Sequence, residues 1–136
     1  MSLKTTFDHQ LRRGYATYLG LVNYDWLQEF MLDVIRHNAQ SYPKLVNGIQ
    51  AQLRLQPKEI SQFLEFAMAV AQQWQFGPVA VVVSDVSSYQ EVHTLGLLTE
   101  KICRVHPFWD LEAAEEWLNS AVADESKARA AAAVVE

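Results

Sequence analysis

The sequence has a single cysteine, Cys103, and few clustered positive charges. One cysteine cannot form an internal disulfide or a cysteine-rich zinc site, and it is typical of a protein in a reducing cytoplasm. The formal net charge is −5. This charge disfavours a general nucleic-acid binder, because phosphate binding needs a clustered cationic surface. We therefore expect a cytoplasmic protein with no nucleic-acid partner.

Long hydrophobic runs are also missing. No apolar run approaches the roughly 20 residues that span a bilayer, and the N-terminal letters MSLKTT lack the hydrophobic segment of a signal peptide. Of the 136 residues, 50% are hydrophobic and 20% are charged, which is a globular balance. We predict one domain, residues 1–136, without a membrane span. The alanine-rich residues 123–136 either extend the last helix or fray, and the sequence favours neither.

The first half of the chain predicts a hairpin, a helix, a short strand and a second helix. Residues 4–22 hold two β-rich runs around Gly14, which can supply the positive φ of a tight turn. Asn23 is the predicted N-cap of a helix with the apolar stripe Trp26, Leu27, Phe30, Met31, Val34 and Ile35. A short strand follows around Leu45, Val46 and Ile49, and then a polar loop. Pro57 begins the second helix, whose stripe is Ile60, Phe63, Leu64, Ala67, Val70, Ala71 and Trp74.

The second half continues the alternation of strands and helices. Gly77 and Pro78 end the second helix, and the unbroken apolar run of residues 79–83 predicts a strand covered on both faces. The third helix is expected to begin near Ser88 and to bury Val92, Leu95, Leu98 and Ile102. A last strand precedes a fourth helix with Asp110 as its cap and the stripe Leu111, Ala114, Trp117, Leu118 and Ala121. The order β-β-α-β-α-β-α-β-α predicts an α/β fold with a mostly parallel sheet.

The carboxyl-terminal half carries the most specific pattern. PVAVVVSD at 78–85 is followed by a helix start, by LLTEK at 97–101 and by HPFWDLEAAEEWL at 106–118. With these elements the chain resembles the SpoIIAA-like branch of the STAS domains, a superfamily that includes the anti-sigma-factor antagonists. Over residues 5–122 the resemblance implies a five-stranded mixed, mostly parallel sheet with an N-terminal hairpin and four packed helices. It also implies a domain that commonly lacks a catalytic site.

One feature of that superfamily is missing from the sequence. The antagonists act by protein–protein contact, which is switched by phosphorylating a serine in a D-S-S-G turn before the second helix. The equivalent letters here are LVNGIQAQLRLQPKE, with Asn47 where many relatives have an aspartate. No serine lies between Pro43 and Pro57, so the phosphoserine switch transfers to no residue of this chain.

Polar residues follow the apolar strand at the edge where open α/β sheets bind ligands. The candidate ligand-binding set is Ser84, Asp85, Ser87, Ser88, Tyr89 and Trp109. Backbone N–H groups there could hold an anion, but no glycine-rich phosphate loop is present and Asp85 would repel a phosphate. We favour the alternative in which Ser87 or Ser88 caps the third helix and Asp85 supports the turn.

No set of residues predicts a catalytic centre, a metal site or a cofactor. The chain has four histidines: His9, His37, His93 and His106. They are scattered and include no pair at metal-ligand spacing, and Ser84 lacks the G-x-S-x-G elbow of a hydrolase. Cys103, placed at the end of the third helix, is expected to pack as a small apolar residue. We therefore expect a protein that is not an enzyme.

Two apolar side chains lie off the stripes of their helices, Phe66 on the second helix and Leu97 on the third. Exposed apolar side chains of this kind are typical of a contact surface. Four other aromatic residues are expected in the core: Trp26, Phe63, Trp74 and Trp117. Our first hypothesis is a non-catalytic interaction module that contacts another protein or a second copy of itself.

The alternative hypothesis is a carrier of a small apolar, lipid-like molecule. Lipid-transfer domains of the Sec14 (CRAL-TRIO-like) type are related structurally to the resembled family. A pocket between sheet and helices could hold an apolar molecule, with Ser84, Tyr89 and Trp109 among its lining residues. An enzyme ranks last, because it would need a perturbed titratable pair in a cleft.

Overall fold

A five-stranded sheet organises the part of the chain that the computed structural model describes, residues 2–122. The strands are β1 Ser2–Asp8, β2 Arg13–Val22, β3 Lys44–Leu53, β4 Val79–Val82 and β5 Val105–Phe108. They lie in chain order, with β1 antiparallel to β2 and every later pair parallel. The predicted mixed, mostly parallel sheet with an N-terminal hairpin is confirmed.

Four helices accompany this sheet within the described residues. They are α1 Tyr24–Arg36, α2 Pro57–Ala71, α3 Val86–Leu98 and α4, residues 111–122. None of the helices within residues 2–122 is long and apolar enough to cross a membrane. The observed order of strands and helices is the predicted one. The predicted alternatives for residues 123–136 lie outside the described residues.

The helices are divided unequally between the two faces of the sheet. Side chains of α1, α2 and α3 share one core cluster with the strands, whereas α4 packs alone on the opposite face. Neighbouring strands that follow one another in sequence and are joined by crossovers of one hand place all their helices on the same face. The sheet therefore has a three-helix face and a one-helix face.

Residues that favour a helix start stand at the beginnings of three helices, as the sequence predicts. The Asn23 side chain accepts a hydrogen bond from the backbone N–H of Trp26, and that of Asp110 accepts one from Ala113. Pro57 is the first residue of α2, where its missing N–H leaves no helical bond unmade. These three predictions are confirmed.

The hairpin turn uses a different residue from the predicted one. Arg12 has the positive φ, 54°, whereas Gly14 is already in β2. A Cβ at Gly14 would lie 3.3 Å from both Lys44 Cγ and the Phe7 ring. Gly14 therefore serves close packing between strands, and the prediction that it makes the turn is wrong.

Strand β3 is longer than predicted, because it continues through the expected polar loop. Gln50 and Gln52 are exposed while Ala51 and Leu53 are buried, which is the alternation of a strand with one wet face. The register against β2 shifts between Thr17 and Leu19. Pairing continues on both sides of this shift, from Gly14 to Val22 of β2.

The ends of α2 and α3 also differ from the prediction. Helix α2 ends at Ala71, and Trp74, expected in the core, is 41% exposed. Helix α3 ends at Leu98, which is itself 52% exposed, so Ile102 lies beyond the helix. Leu111 at the start of α4 is 39% exposed. The predicted apolar stripes of α2, α3 and α4 are therefore longer than the buried parts of these helices.

Candidate functional site

An apolar cavity of about 130 Å³ lies between the sheet and the three-helix face. Its floor comes from parallel strands, including Val46, Val79 and Val81. Its walls come from α1, α2 and α3 and the segments after them, including Phe30, Phe63, Phe76 and Val92. The aromatic and branched side chains give this cavity an almost entirely hydrocarbon surface.

The exposure of the side chains of β4 shows that packing on the cavity side is incomplete. Ala80 and Val82, which point towards α4, are 0% exposed. Val79 and Val81, which point into the cavity, are only half-buried although β4 lies inside the sheet. A central strand of this kind is normally buried on both faces. The solvent access of these two valines therefore comes from space left between the helices.

Helix α2 leaves this space because it buries little of its surface. Of its 15 residues, Ala67 and Val70 are the buried ones, while Ile60, Phe63 and Phe66 are half-buried. Ala67 also lines the cavity, and a methyl group is the smallest side chain that can present carbon there. A small residue at the buried centre of α2 thus keeps the cavity open.

The carboxylate of Glu59 joins the beginnings of α1 and α2. It accepts hydrogen bonds from the backbone N–H of Gln56 at 2.9 Å and of Tyr24 at 3.1 Å. Unpaired N–H groups in the first turn of a helix favour such a negative partner. One end of the cavity wall is therefore held by hydrogen bonds to a charged side chain.

The hydroxyl groups of the cavity lining are engaged with the protein. Ser88 Oγ accepts hydrogen bonds from the Leu53 N–H at 3.0 Å and from Arg54 at 3.2 Å. Thr99 Oγ1 donates to the Leu95 carbonyl at 2.9 Å, and the Tyr18 hydroxyl donates to the Trp26 carbonyl at 2.9 Å. Burial, followed by the charges of nearby acids, raises the pKa of Tyr18. These groups are used to hold the fold.

Lys44 brings a positive charge to the lining at the start of β3. It is 2% exposed, and its Nζ donates to the carbonyls of Gln40 at 2.7 Å and Tyr42 at 2.8 Å. The Gln40 carbonyl also accepts from the Gly77 N–H at 2.8 Å. The Lys44 ammonium therefore stabilises the loop before β3, and the Gln40 carbonyl links that loop to the segment before β4.

Cys103 lines the cavity beyond α3, which ends at Leu98, so the prediction that Cys103 lies at the end of that helix is wrong. Its Sγ lies 3.5 Å from the Gly77 carbonyl, to which it donates a weak hydrogen bond. Burial raises the pKa of the Cys103 thiol to about 11. Because the thiolate is the reactive form of cysteine, this thiol is a poor nucleophile.

The carboxyl edge of the sheet holds a second, polar arrangement. Asp85, and not a serine, caps α3: its Oδ2 accepts from the Ser88 N–H at 3.1 Å. Arg54 Nη2 lies 3.1 Å from the same oxygen. Hydrogen bonding from Ser88, and then from Arg54, lowers the pKa of the Asp85 carboxyl. The prediction that Ser87 or Ser88 is the cap is wrong because the helix begins two residues earlier, at Val86.

The six predicted ligand-binding residues fall into different environments. Ser88 lines the apolar cavity, whereas Ser84 and Asp85 line a separate shallow depression with Leu21 and Ile49. Ser87 is exposed. The rings of Tyr89 and Trp109 stack 4.7 Å apart, with Trp109 53% exposed. A ligand contact by any of the six stays a prediction.

The two predicted contact residues, Phe66 and Leu97, differ in their exposure. Phe66 is half-buried on α2, and Leu97 on α3 is 61% exposed. Within residues 2–122, no three His, Cys, Asp or Glu side chains are grouped so that they could hold a metal ion. The His9 Nδ1 lies 2.7 Å from the Tyr42 hydroxyl, and His93 is exposed on α3.

Sequence reasoning missed most of the cavity lining. Lys44 gave no signal of its burial, because lysine is almost never a fully buried residue. Phe76 and Val81 gave no signal of a cavity, since their residue types are equally suited to a filled core. The empty space depends on how far α2 lies from the sheet, which is a property of the packing.

Comparison with known proteins supports the fold. No protein-family model matches the chain, and no curated protein sequence is significantly similar to it. Among solved structures, the chain is similar to an uncharacterised protein of the DUF3478 family from Shewanella loihica PV-4, with 11% identity and a TM-score of 0.55. The similarity covers 86% of this chain and 92% of that one. That structure is described as having a SpoIIAA-like fold, and the chain accordingly has a SpoIIAA-like α/β fold.

Proposed function

We propose that this protein binds a small apolar molecule in the cavity between the sheet and α1, α2 and α3. The observation that carries the proposal is the half-buried state of Val79 and Val81 on an interior strand. Side chains of this kind are removed from water in a filled core. A bound hydrocarbon would restore the contacts that the helices leave unmade.

Binding is favoured over collapse because both ends of the wall are held. Glu59 ties the first turns of α1 and α2 together, and the Gln40 carbonyl, which accepts from Lys44 Nζ, also accepts from the Gly77 N–H. Closing the cavity would require α2 to move towards the sheet, and the hydrogen bonds of Glu59 resist movement of α2 relative to α1. A ligand fills the space without that movement, so preorganisation favours it.

The proposed role is binding without a chemical step. The cavity hydroxyls serve backbone carbonyls and N–H groups, and the Cys103 thiol is held in its protonated form by a pKa of about 11. General acid–base or nucleophilic catalysis needs a group whose pKa and geometry suit the reacting atom. The protein is therefore proposed as a carrier or sensor of the apolar molecule.

Native mass spectrometry of protein purified from its own host tests this proposal. Wild-type protein is expected to carry an adduct that is released by an organic solvent. Ala67→Leu, which places extra carbons in the cavity, is expected to lose the adduct. Ala69→Leu is the matched control, because Ala69 is exposed on the same helix. The proposal is wrong if the wild-type protein carries no ligand when purified and also binds no added hydrocarbon.

A protein contact through α3 is the second candidate function. Leu97 and Leu98 are adjacent at the end of this helix and are 61% and 52% exposed. Exposed apolar side chains in such a pair favour association, here with a second copy of the chain. Light scattering would detect a dimer that Leu97→Asp converts into a monomer. Thr94→Asp, at an exposed position of the same helix, is the control.

A further inference from the structure

We infer that the cavity selects an uncharged molecule about the size of one aromatic ring and rejects the carboxylate analogue of that molecule. This inference rests on the proposed binding function and names the chemical class of its ligand. It follows from three observations: the volume of the cavity, the engagement of its hydroxyls and the partners of its buried lysine.

The cavity volume sets the size of the ligand. At about 130 Å³, the cavity is close to the roughly 150 Å³ of an engineered cavity that binds benzene. Aromatic walls from Phe30, Phe63 and Phe76 suit the edge and face contacts of one ring. A molecule with a second fused ring would have to displace α2 or extend into solvent.

The hydroxyl groups of the lining are engaged with the protein, which disfavours a ligand anion. Ser88 Oγ accepts from the Leu53 N–H and from Arg54, whose guanidinium also contacts the Asp85 carboxylate. Thr99 and Tyr18 donate to backbone carbonyls. A carboxylate in this cavity would lose its water and find no replacement donor among these groups, which is unfavourable.

Lys44 is the cation that could reverse this preference, and its contacts argue against that role. Its Nζ bonds to the Gln40 and Tyr42 carbonyls at 2.7 and 2.8 Å, with the Phe76 ring centroid 6.0 Å away. These carbonyls use two of the three ammonium donors and hold Nζ in place, so moving it towards a carboxylate at the centre of the cavity would draw it from carbonyls that sit in a buried loop. Those carbonyls would then lose a charge-assisted hydrogen bond.

Titration of the wild-type protein with toluene, benzoate and naphthalene tests the inference, with backbone amide NMR shifts as the readout at neutral pH. Toluene is expected to bind with a Kd of roughly 0.1–1 mM, as suits a ligand of so few atoms. Benzoate is expected to bind at least about tenfold more weakly, because its charge must be desolvated. Naphthalene is expected to bind no more tightly than toluene.

Two variants locate the binding and keep the result interpretable. Ala67→Leu is expected to abolish the toluene shifts, whereas the exposed control Ala69→Leu keeps them. If benzoate binds as tightly as toluene, and Lys44→Met removes only the benzoate binding, the lysine anchors an anion. That result, or tighter binding of naphthalene, overturns the inference and leaves the binding function standing. If none of the three compounds binds the wild-type protein, the proposed function fails as well.

Discussion

Replacing Ala67 by leucine tests directly whether the space beneath α2 is empty. Ala67 is 4% exposed and lines the cavity from the centre of α2. Leucine has nearly the same helix propensity as alanine, so the helix itself is little affected. In a filled core the extra carbons would force neighbouring side chains apart, at a cost of about 1–3 kcal/mol. In an open cavity they gain contacts, so the two cases differ in sign.

The magnitude follows from the number of carbons added. Each buried CH₂ contributes about 0.8 kcal/mol, so the three extra carbons of leucine contribute about 2.4 kcal/mol. Ordering the leucine side chain costs about 0.5–1 kcal/mol. We therefore expect Ala67→Leu to raise the free energy of unfolding by about 1.5 kcal/mol. For a chain of this size that corresponds to a rise in Tm of roughly 3–8 °C.

Urea denaturation followed by circular dichroism measures the change, with Ala114→Leu as the matched control. Ala114 on α4 is 0% exposed and packs against Ala80 and Val82 on the filled face. The control is expected to lower the free energy of unfolding by about 1–3 kcal/mol through overpacking. A destabilised Ala67→Leu, similar to the control, would refute the open cavity and with it the argument for a ligand.

Three further predictions concern single side chains. Because burial raises the pKa of Cys103 to about 11, its reaction with an aromatic disulfide reagent near neutral pH is expected to be roughly 10²-fold slower than in urea-unfolded protein; equal rates would contradict the burial. Asp85→Ala is expected to lower the free energy of unfolding by about 1 kcal/mol. The folded-state pKa of Asp85 lies below its usual 3.8, so the difference in stability between wild type and Asp85→Ala is fully present above pH 3.8 and shrinks as pH falls through the folded-state pKa. Urea denaturation at several acid pH values measures this change. A difference in stability that did not depend on pH would show that the charge of Asp85 does not contribute. Gly96→Ala would bring a Cβ into the Val105 carbonyl oxygen and is expected to cost about 1–3 kcal/mol, measured by thermal unfolding against an exposed control, Thr94→Ala.

The elements of the fold were predictable because local chemistry marks them. Asn23 and Asp110 are short polar residues directly before apolar stripes, and both cap their helices. The α3 boundary was misplaced because Asp85, Ser87 and Ser88 are all good caps within four positions. Only the tertiary position of the helix decides between them, and it selects Asp85.

Strand length was underestimated for a different reason. The letters IQAQL alternate polar and apolar residues, yet the run is too short and too polar to predict a strand alone. Residues 50–53 become strand because they pair with residues 19–22 of β2. A long-range partner supplied what local propensity lacked.

The cavity could not be predicted from residue types. Phe63, Phe76 and Val81 match a filled core as well as a hollow one. Trp74, assigned to the core by its spacing, is 41% exposed because α2 has already ended. Hydrophobic periodicity indicates which face of a helix points inward, and it says nothing about the distance at which that face comes to rest.

The strand order along the sheet has a consequence for how the molecule assembles. Because every strand pairs with its neighbour in sequence, each parallel strand can join the edge formed by the strand before it once the helical crossover between them has closed. During synthesis on a ribosome, β1 to β5 would emerge in order, and each new strand would find the edge of the preceding strand available for pairing. Of the described elements, helix α4 would be synthesised last. Until it packed on the sheet, the side chains of Leu45, Ala80 and Val82 would be exposed, and they could aggregate or bind a chaperone.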